Sequence, residues 1–261
     1  MKSERHPSGG PRPAQNRSLE RGIELLRAFR QGVDLLGNGD LAERTGLSKA
    51  TVSRLTQTLV AGGMLEHVAA ERAYRLAAPV LALAHAMRIG SPILSIAGPR
   101  MRAVAEKQRV NVGLAAPDRD SMVYLESFRY NRKLSLRNVV AGQRVPIELT
   151  SLGRAYLASL SEVSRRRLLH QLKPIRPQSW NIVECEIETA IASVEKQGYC
   201  WAAWQPGVVA VAAPLVLGSE RTYALNVSVT SDRPPTQVAR ELKVPLLELK
   251  AELLDALTDE G

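Results

Sequence analysis

Three apolar residues, Val52, Leu55 and Leu59, recur at i, i+3 and i+7 and mark one buried stripe of a helix. The opposite face of that helix carries Lys49, Ala50, Ser53, Arg54 and Gln57, polar and basic with small residues near its start. Ser48 stands where an N-cap oxygen accepts a backbone N–H. Just upstream, Leu41 and Ala42 face inward in a helix capped by Asn38, and Gly46 with Leu47 forms the turn between the two helices. Two short strand candidates, residues 64–68 and 73–76, flank Ala69, Ala70, Glu71 and Arg72. A structural αα-corner accounts for the helix pair but not for the hairpin after it. The combination predicts a winged helix-turn-helix, whose second helix fits the major groove of DNA.

The pattern extends in both directions. Ser18 caps an earlier helix in which Leu19, Ile23, Leu26 and Phe29 follow at helical spacing. Residues 1–16 hold Ser, Gly, Pro, Arg and Lys with almost no large apolar side chain, a flexible basic tail. The winged domain therefore occupies residues 17–77. A linker helix follows over residues 78–90, apolar around most of its circumference, which suggests that it packs on something, foremost a second copy. Ser91 and Pro92 supply the N-cap and first position of a helix to about residue 109, and Pro99 predicts a kink in it.

Residues 91–261 alternate strands and helices. Strands are expected at 110–116, 121–127, 199–203, 208–216 and 223–229, with shorter extended pieces at 134–136 and 145–149. Helices are expected at 150–160, 161–172, 184–197 and 236–257, the third ended by Gly198. This mixed, mostly antiparallel order predicts one α+β domain and not a doubly wound parallel sheet.

Composition sharpens the picture only in part. A chain of 261 residues, 45% of them hydrophobic, supports two domains with buried cores. The formal charge of +9 favours a polyanionic partner, a weak signal alone. Cys185 and Cys200 have no metal-ligand spacing, so free thiols in a reducing cytoplasm are expected. The near-apolar run at 208–217 is too short to span a bilayer, and the N-terminus lacks an apolar signal core. The four histidines are scattered, and there is no His-x-x-x-His, Cys-x-x-Cys or Gly-rich phosphate loop. Neither Ser151 nor Cys200 has an evident base partner. No catalytic residue, metal or cofactor is expected.

At this point the chain resembles the IclR family of bacterial transcriptional regulators. The resemblance rests on Ser18-Leu-Glu-Arg-Gly-Ile-Glu-Leu-Leu26 and on the run from Leu41 to Leu55. It rests also on Val123-Tyr-Leu-Glu126, Leu149-Thr-Ser-Leu-Gly-Arg-Ala155 and Pro206-Gly-Val-Val-Ala-Val-Ala-Ala-Pro214, in that order and spacing. It implies a C-terminal effector-binding domain with a GAF-like α+β fold. It also implies dimers, often paired into tetramers, on palindromic promoter sites, with ligand occupancy altering DNA or polymerase binding. The ligand pocket would lie on one face of the C-terminal sheet, beside the helix start at residues 150–153. One departure stands out. Where many members carry acidic residues between Tyr199 and Pro206, this chain has no carboxylate and gains Trp201 and Trp204, and the usual Cys of the next strand is replaced at about Ala210.

The site expectations follow. For DNA they are Ser48, Lys49, Ala50, Thr51, Ser53, Arg54 and Gln57 on the second helix, with Arg72 and Arg75 in the wing. For the effector, the resemblance implies Leu134, Leu136, Val145, Ser151, Leu152, Trp201, Ala210, Asn226 and Ser228, with Arg137 as a charge-assisted partner for a carboxylate. Trp201 and Trp204 favour an aromatic or otherwise apolar acid over a small polar one; their alternative role is core or interface packing. The expected protein is a ligand-responsive cytoplasmic regulator, homodimeric or homotetrameric, acting on promoter DNA of a catabolic operon, with no membrane partner. The alternatives are a small-molecule enzyme with a basic patch and a DNA-binding protein without a ligand.

Overall fold

A computed structural model describes residues 16–30, 32–130, 140–218 and 221–259. Contacts divide the chain into two compact units, one through Ala86 and one from Met87.

The first unit contains α1 (Arg17–Arg27), β1 (Leu36–Gly37), α2 (Asn38–Thr45), α3 (Lys49–Ala61), β2 (Leu65–Val68) and β3 (Ala73–Leu76). Next comes α4 (Ala78–Ile89), within which the unit boundary falls; the sequence pattern instead closes the winged domain at residue 77. Its sheet runs β1-β3-β2. Leu25, Leu36, Leu41, Val52, Leu65 and Tyr74 form the core. α3 meets its predicted stripe with one change: Thr56 is fully buried beside Val52, while Leu55 and Leu59 are only partly buried. The Thr56 hydroxyl donates to the Val52 carbonyl at 3.0 Å, which satisfies it locally.

Two expected caps shift. α1 is capped by Asn16, whose Oδ1 accepts from the Ser18 and Leu19 N–H groups at 3.1 and 3.2 Å, and not by Ser18. α2 begins after Gly37, whose N–H donates to the Asp40 carboxylate at 2.8 Å; Asn38 is the first helical residue, not the cap. An ionised acceptor in the first turn outcompetes a neutral amide. The helical phase of α1 also differs. Gly22, Leu25 and Ala28 face the core, leaving Leu19 and Ile23 exposed. β1 is too short to show a sequence pattern, and its pairing of Leu36 with Tyr74 makes the wing three-stranded.

The second unit begins with α5 (Pro92–Gln108), β4 (Asn111–Asp118), β5 (Ser121–Phe128) and β6 (Arg144–Pro146). It continues through α6 (Ser151–Ser159), α7 (Glu162–Leu172) and α8 (Trp180–Gln197) to β7 (Cys200–Gln205), β8 (Val208–Leu217), β9 (Arg221–Thr230) and α9 (Pro235–Asp259). The strands form one antiparallel sheet in the order β6-β5-β4-β9-β8-β7. The α+β architecture expected from the element order is therefore the one observed. β4 runs two residues further than expected, through Pro117 and Asp118, before turning at Arg119, and α8 starts four residues earlier, anchored by the buried Trp180. The extended piece expected at 134–136 lies outside the described residues.

Strand alternation divides the sheet into two unlike faces. Val112, Leu114, Val209, Val211, Ala213, Leu215, Leu225 and Val227 pack with α5 and α9. The other face presents smaller or polar groups toward α6 and α8: Ala115, Ala212, Ala224, Cys200 and Asn226.

The start of α6 is pinned to the loop before it. Thr150 Oγ1 accepts from Gly153 N–H at 3.1 Å and donates to the Pro146 carbonyl at 2.8 Å. A Cβ on Gly153 would lie 2.1 Å from the Ile147 carbonyl oxygen, a backbone atom that cannot rotate away. Gly153→Ala is therefore expected to destabilise the protein by about 3 kcal/mol or more, at the upper end of overpacking costs. Urea unfolding measures this, and an unchanged midpoint would contradict the close approach.

Candidate DNA-reading face and effector face

At 3.6 residues per turn, Lys49, Ala50, Ser53, Arg54 and Gln57 fall within an arc of about 140° on α3, and Val52, Leu55, Thr56 and Leu59 within about 100° of the other side. Lys49, Ala50, Arg54 and Gln57 are exposed, Ser53 and Thr51 partly so. Ser48 is the N-cap: its Oγ accepts from Thr51 N–H at 3.3 Å and lies 2.9 Å from Thr51 Oγ1. Ser48 and Thr51 thus spend hydrogen-bonding capacity on each other. The wing turn is a short 3-10 segment, Ala69–Glu71, closed by Arg72 at φ 49°, which leaves the Arg72 side chain exposed at the tip. Arg75 Nε pairs with the Glu66 carboxylate at 2.7 Å across the hairpin, an exposed pair of the kind that holds a side chain only weakly.

In the second unit, Val145, Ser151, Leu152, Ala210, Asn226 and Ser228 are buried and share the α6 side of the sheet. Ser151 and Leu152 form the first turn of α6, and Asn226 and Ser228 are neighbours on β9, opposite Ala212 and Ala210. Leu134, Leu136 and Arg137 lie outside the described residues. Trp201 is not part of this constellation. It pairs in register with Val211, whose side chain belongs to the α5 and α9 face, so Trp201 projects from the opposite side of the sheet. A strand's period of two makes one residue's position decisive, and sequence distance from Ala202 concealed it.

Sequence reasoning missed three residues on the α6 face. Gly113 opposes Asn226 in register, and a Cβ on it would meet Asn226 Oδ1 and Tyr124 Cε1, each at 2.5 Å. Tyr124 lies within the quoted Val123-Tyr-Leu-Glu126 motif, which was the available signal. Burial pushes its hydroxyl up to about 12, opposed by the nearby Arg129 charge and a hydrogen bond from the Asn226 side chain. Burial likewise lowers the Arg129 guanidinium, opposed by Tyr124. Asn226 Oδ1 is buried without a hydrogen-bond partner. Tyr124, Arg129 and Asn226 therefore bring a hydroxyl, a cation and an amide together beside an apolar lining, a suitable set for an organic anion. Among the described residues no group of three or more His, Cys, Asp or Glu side chains is placed to hold a metal, and no single helix is long and apolar enough to cross a membrane.

Cys200 closes this face at the sheet edge. Its thiol contacts the Ser151 carbonyl at 3.5 Å, and burial raises its pKa to about 12, opposed by Arg154. Cys185 is exposed. At pH 8 a disulfide reagent should modify Cys185 quickly and Cys200 only on unfolding. Equal reaction rates of the two thiols in the native protein would contradict the packing of α6 on β7.

Two family models match the chain: the IclR helix-turn-helix domain over residues 18–69, and the bacterial transcriptional regulator IclR C-terminal domain over residues 86–252. The HTH-type transcriptional regulator TsaQ1/TsaQ2 of Comamonas testosteroni is 34% identical over 235 residues, 88% of this chain and 84% of that protein. The crystal structure of an IclR family regulator from Brucella abortus superposes with a TM-score of 0.84 at 33% identity, covering 92% of this chain and 91% of that one. An IclR homologue from Microbacterium hydrocarbonoxydans, complexed with 4-hydroxybenzoate, shares the fold with a TM-score of 0.66 at 22% identity, covering 90% and 98% of the two chains.

Proposed function

Because the chain belongs to the IclR family of transcriptional regulators, with a DNA-binding helix-turn-helix and an effector-binding C-terminal domain, we propose that it reads an inverted-repeat promoter site through α3 and senses an organic carboxylate on the α6 face of its sheet. Its setting is the cytoplasm, and its targets are genes of a catabolic operon that consumes that acid. The observation that carries the DNA reading is the exposed arc of Lys49, Ala50, Ser53, Arg54 and Gln57 behind the Ser48 cap, followed by the Arg72 wing tip. Arg54 and Gln57 reach base edges, Lys49 and Arg72 reach phosphates, and Ala50 permits close approach. Ser48 and Thr51 act chiefly on the helix start, and Arg75, in an exposed pair with Glu66, is free to exchange that partner for a flanking phosphate.

The effector reading rests on Tyr124, Arg129, Asn226 and Ser228 beside Val145, Leu152 and Ala210. This lining supports an acid with an apolar body, aromatic ones included. The stacking once expected of Trp201 is not among its supports, because that ring is on the other face. A protein of this fold is complexed with 4-hydroxybenzoate, so the architecture accommodates such a molecule.

Assembly follows from α4 and α1. No residue of α4 is buried, and Leu81 is 74% and Ile89 72% exposed. A groove of about 940 Å³ in the first unit is lined by Leu19, Ile23, Leu26 and Leu83 and, at its other side, by Thr51, Arg54 and Gln57 of the DNA-reading arc, so the pairing surface is its α1 and α4 side alone. Such apolar surface supports burial against a second subunit. A dimer also places two recognition helices on half-sites one helical turn or a multiple apart.

Arg54→Ala is expected to weaken specific promoter binding by about 1–3 kcal/mol. Wild-type affinity should fall steeply with salt. Equal affinity of the variant and wild type across a salt titration would assign DNA reading to another face. For the effector, thermal shift should favour aromatic and apolar acids over pyruvate-sized ones. Trp201→Ala should leave that preference intact and Asn226→Leu should abolish it; the reverse outcome would move the site to the Trp face.

A further inference from the structure

The ladder between β4 and β5 shifts at one place. Ala115 pairs with Tyr124 and its neighbour Leu114 with Glu126, so Leu125 is the extra residue of a β-bulge. The bulge decides which residues meet. Tyr124 faces α6, whereas Leu125 packs with the α5 and α9 core, and Glu126, opposite Leu114, shares that side. Alternation then resumes. Ser127, opposite Gly113, turns to the α6 face, Phe128, opposite Val112, to the other, and Arg129 to the α6 face again. On a regular strand, residues at this odd spacing point to opposite sides. Here the bulge puts the Arg129 charge near the Tyr124 hydroxyl.

The same bulge is held from outside the sheet by Arg88. This residue lies in the last turn of α4, a helix that runs unbroken from the first unit into the second. Its guanidinium forks. Nη1 donates to the Leu125 carbonyl, and Nη2 meets the Glu126 carboxylate at 2.6 Å. The second oxygen of Glu126 accepts from Ser127 N–H at 3.0 Å, which braces the residue after the bulge. The pair is largely shielded, with Glu126 20% and Arg88 35% exposed, so charge and fork geometry both count. Val80 and Arg88 are the two residues of α4 that are not exposed. A helix with an otherwise open surface is thus fastened at its end to the irregular point of β5.

We propose that Arg88 is a positioning residue for the effector face: its fork on the Leu125 bulge ties the conformation of that face to the last turn of α4. An acid drawn between Tyr124 and Arg129 pulls on both flanks of the bulge. The Leu125 carbonyl and Glu126 move with it, and through Arg88 the end of α4 follows. The Glu126 side of β5 faces away from α6, so Arg88 acts on the acid only through the bulge. Coupling of this kind is reciprocal, so releasing Arg88 also loosens the acid's site. The clamp stands on its own geometry; that an acid drives it rests on the effector reading.

The test compares the full chain with Arg88→Met, which keeps the aliphatic stem and loses the fork. The first arm needs no acid. Gly113→Ala displaces the Tyr124 ring, whose Cε1 would lie 2.5 Å from the new Cβ. Tyr124→Phe is the milder probe should Gly113→Ala fail to fold. Amide hydrogen exchange of residues 86–89 is then measured. Either change on the α6 face should speed it by about fivefold, the weight of one lost hydrogen bond. In the Arg88→Met background that exchange is already fast, and the second change should add less than about twofold. Exchange at residues 86–89 that ignores the folded α6-face variants, or that adds fully in Arg88→Met, overturns the proposal. The second arm uses saturating benzoate and the native promoter. Promoter affinity of the wild type should change by about fivefold or more, and that of Arg88→Met by less than about twofold. A full response in Arg88→Met also overturns the coupling. If benzoate neither binds the wild type nor alters its promoter affinity, the effector reading falls, and the first arm alone decides the clamp.

Discussion

The alternation of β8 and β9 is the constraint on which the C-terminal unit depends. Val209, Val211, Ala213 and Leu215, with Leu225 and Val227, commit one face of the sheet to α5 and α9. The residues between them, Ala210 and Ala212 with Ala224, Asn226 and Ser228, are then forced toward α6. A slip of one residue would bury Asn226 and Ser228 under α9 and push leucine and valine against α6. The large apolar side chains on one face thus fix the small and polar lining on the other. The proposed effector site is what remains when the rest of the sheet has been packed.

Local devices then hold α6 over that lining. The Thr150 hydroxyl bridges Pro146 and Gly153, and Gly153 lets the helix touch the Ile147 backbone. Behind it, buried Arg154 donates from Nε to the Glu148 carbonyl and pairs with Glu186, while buried Glu148 pairs with Arg176. Buried Arg154 and buried Glu148 thus each have an opposite partner, so this part of the layer is both polar and ordered. In the first unit the same logic is simpler: a capped helix, an apolar stripe on one side and an unmasked basic arc on the other.

Much of this was legible in the sequence wherever a period was long enough to be counted. α3, α6 and α7 show their stripes and caps, α9 shows its stripe, and β8 and β9 show runs bounded by turns. Two-residue β1 carries no period at all, and the Asn16 cap and the Gly37 start of α2, held by Asp40, were hidden by equally plausible neighbours. The face that Trp201 occupies was hidden for a different reason. Trp201 lies close in sequence to β8, but which face it occupies is set by register with Val211, a pairing that a single strand does not encode. Tyr124 and Gly113 were missed because their significance lies in a cross-strand meeting with Asn226.

The central claim is that an organic acid binds on the α6 face and that this binding is what the regulator senses. Hydrogen exchange of the full chain with and without a bound acid tests it most directly. The predicted result is added protection at Gly113, at residues 150–153 and at residues 224–228, with the β7 edge unaffected. Protection confined to residues 200–205, or no change on the α6 face under saturating acid, would contradict it.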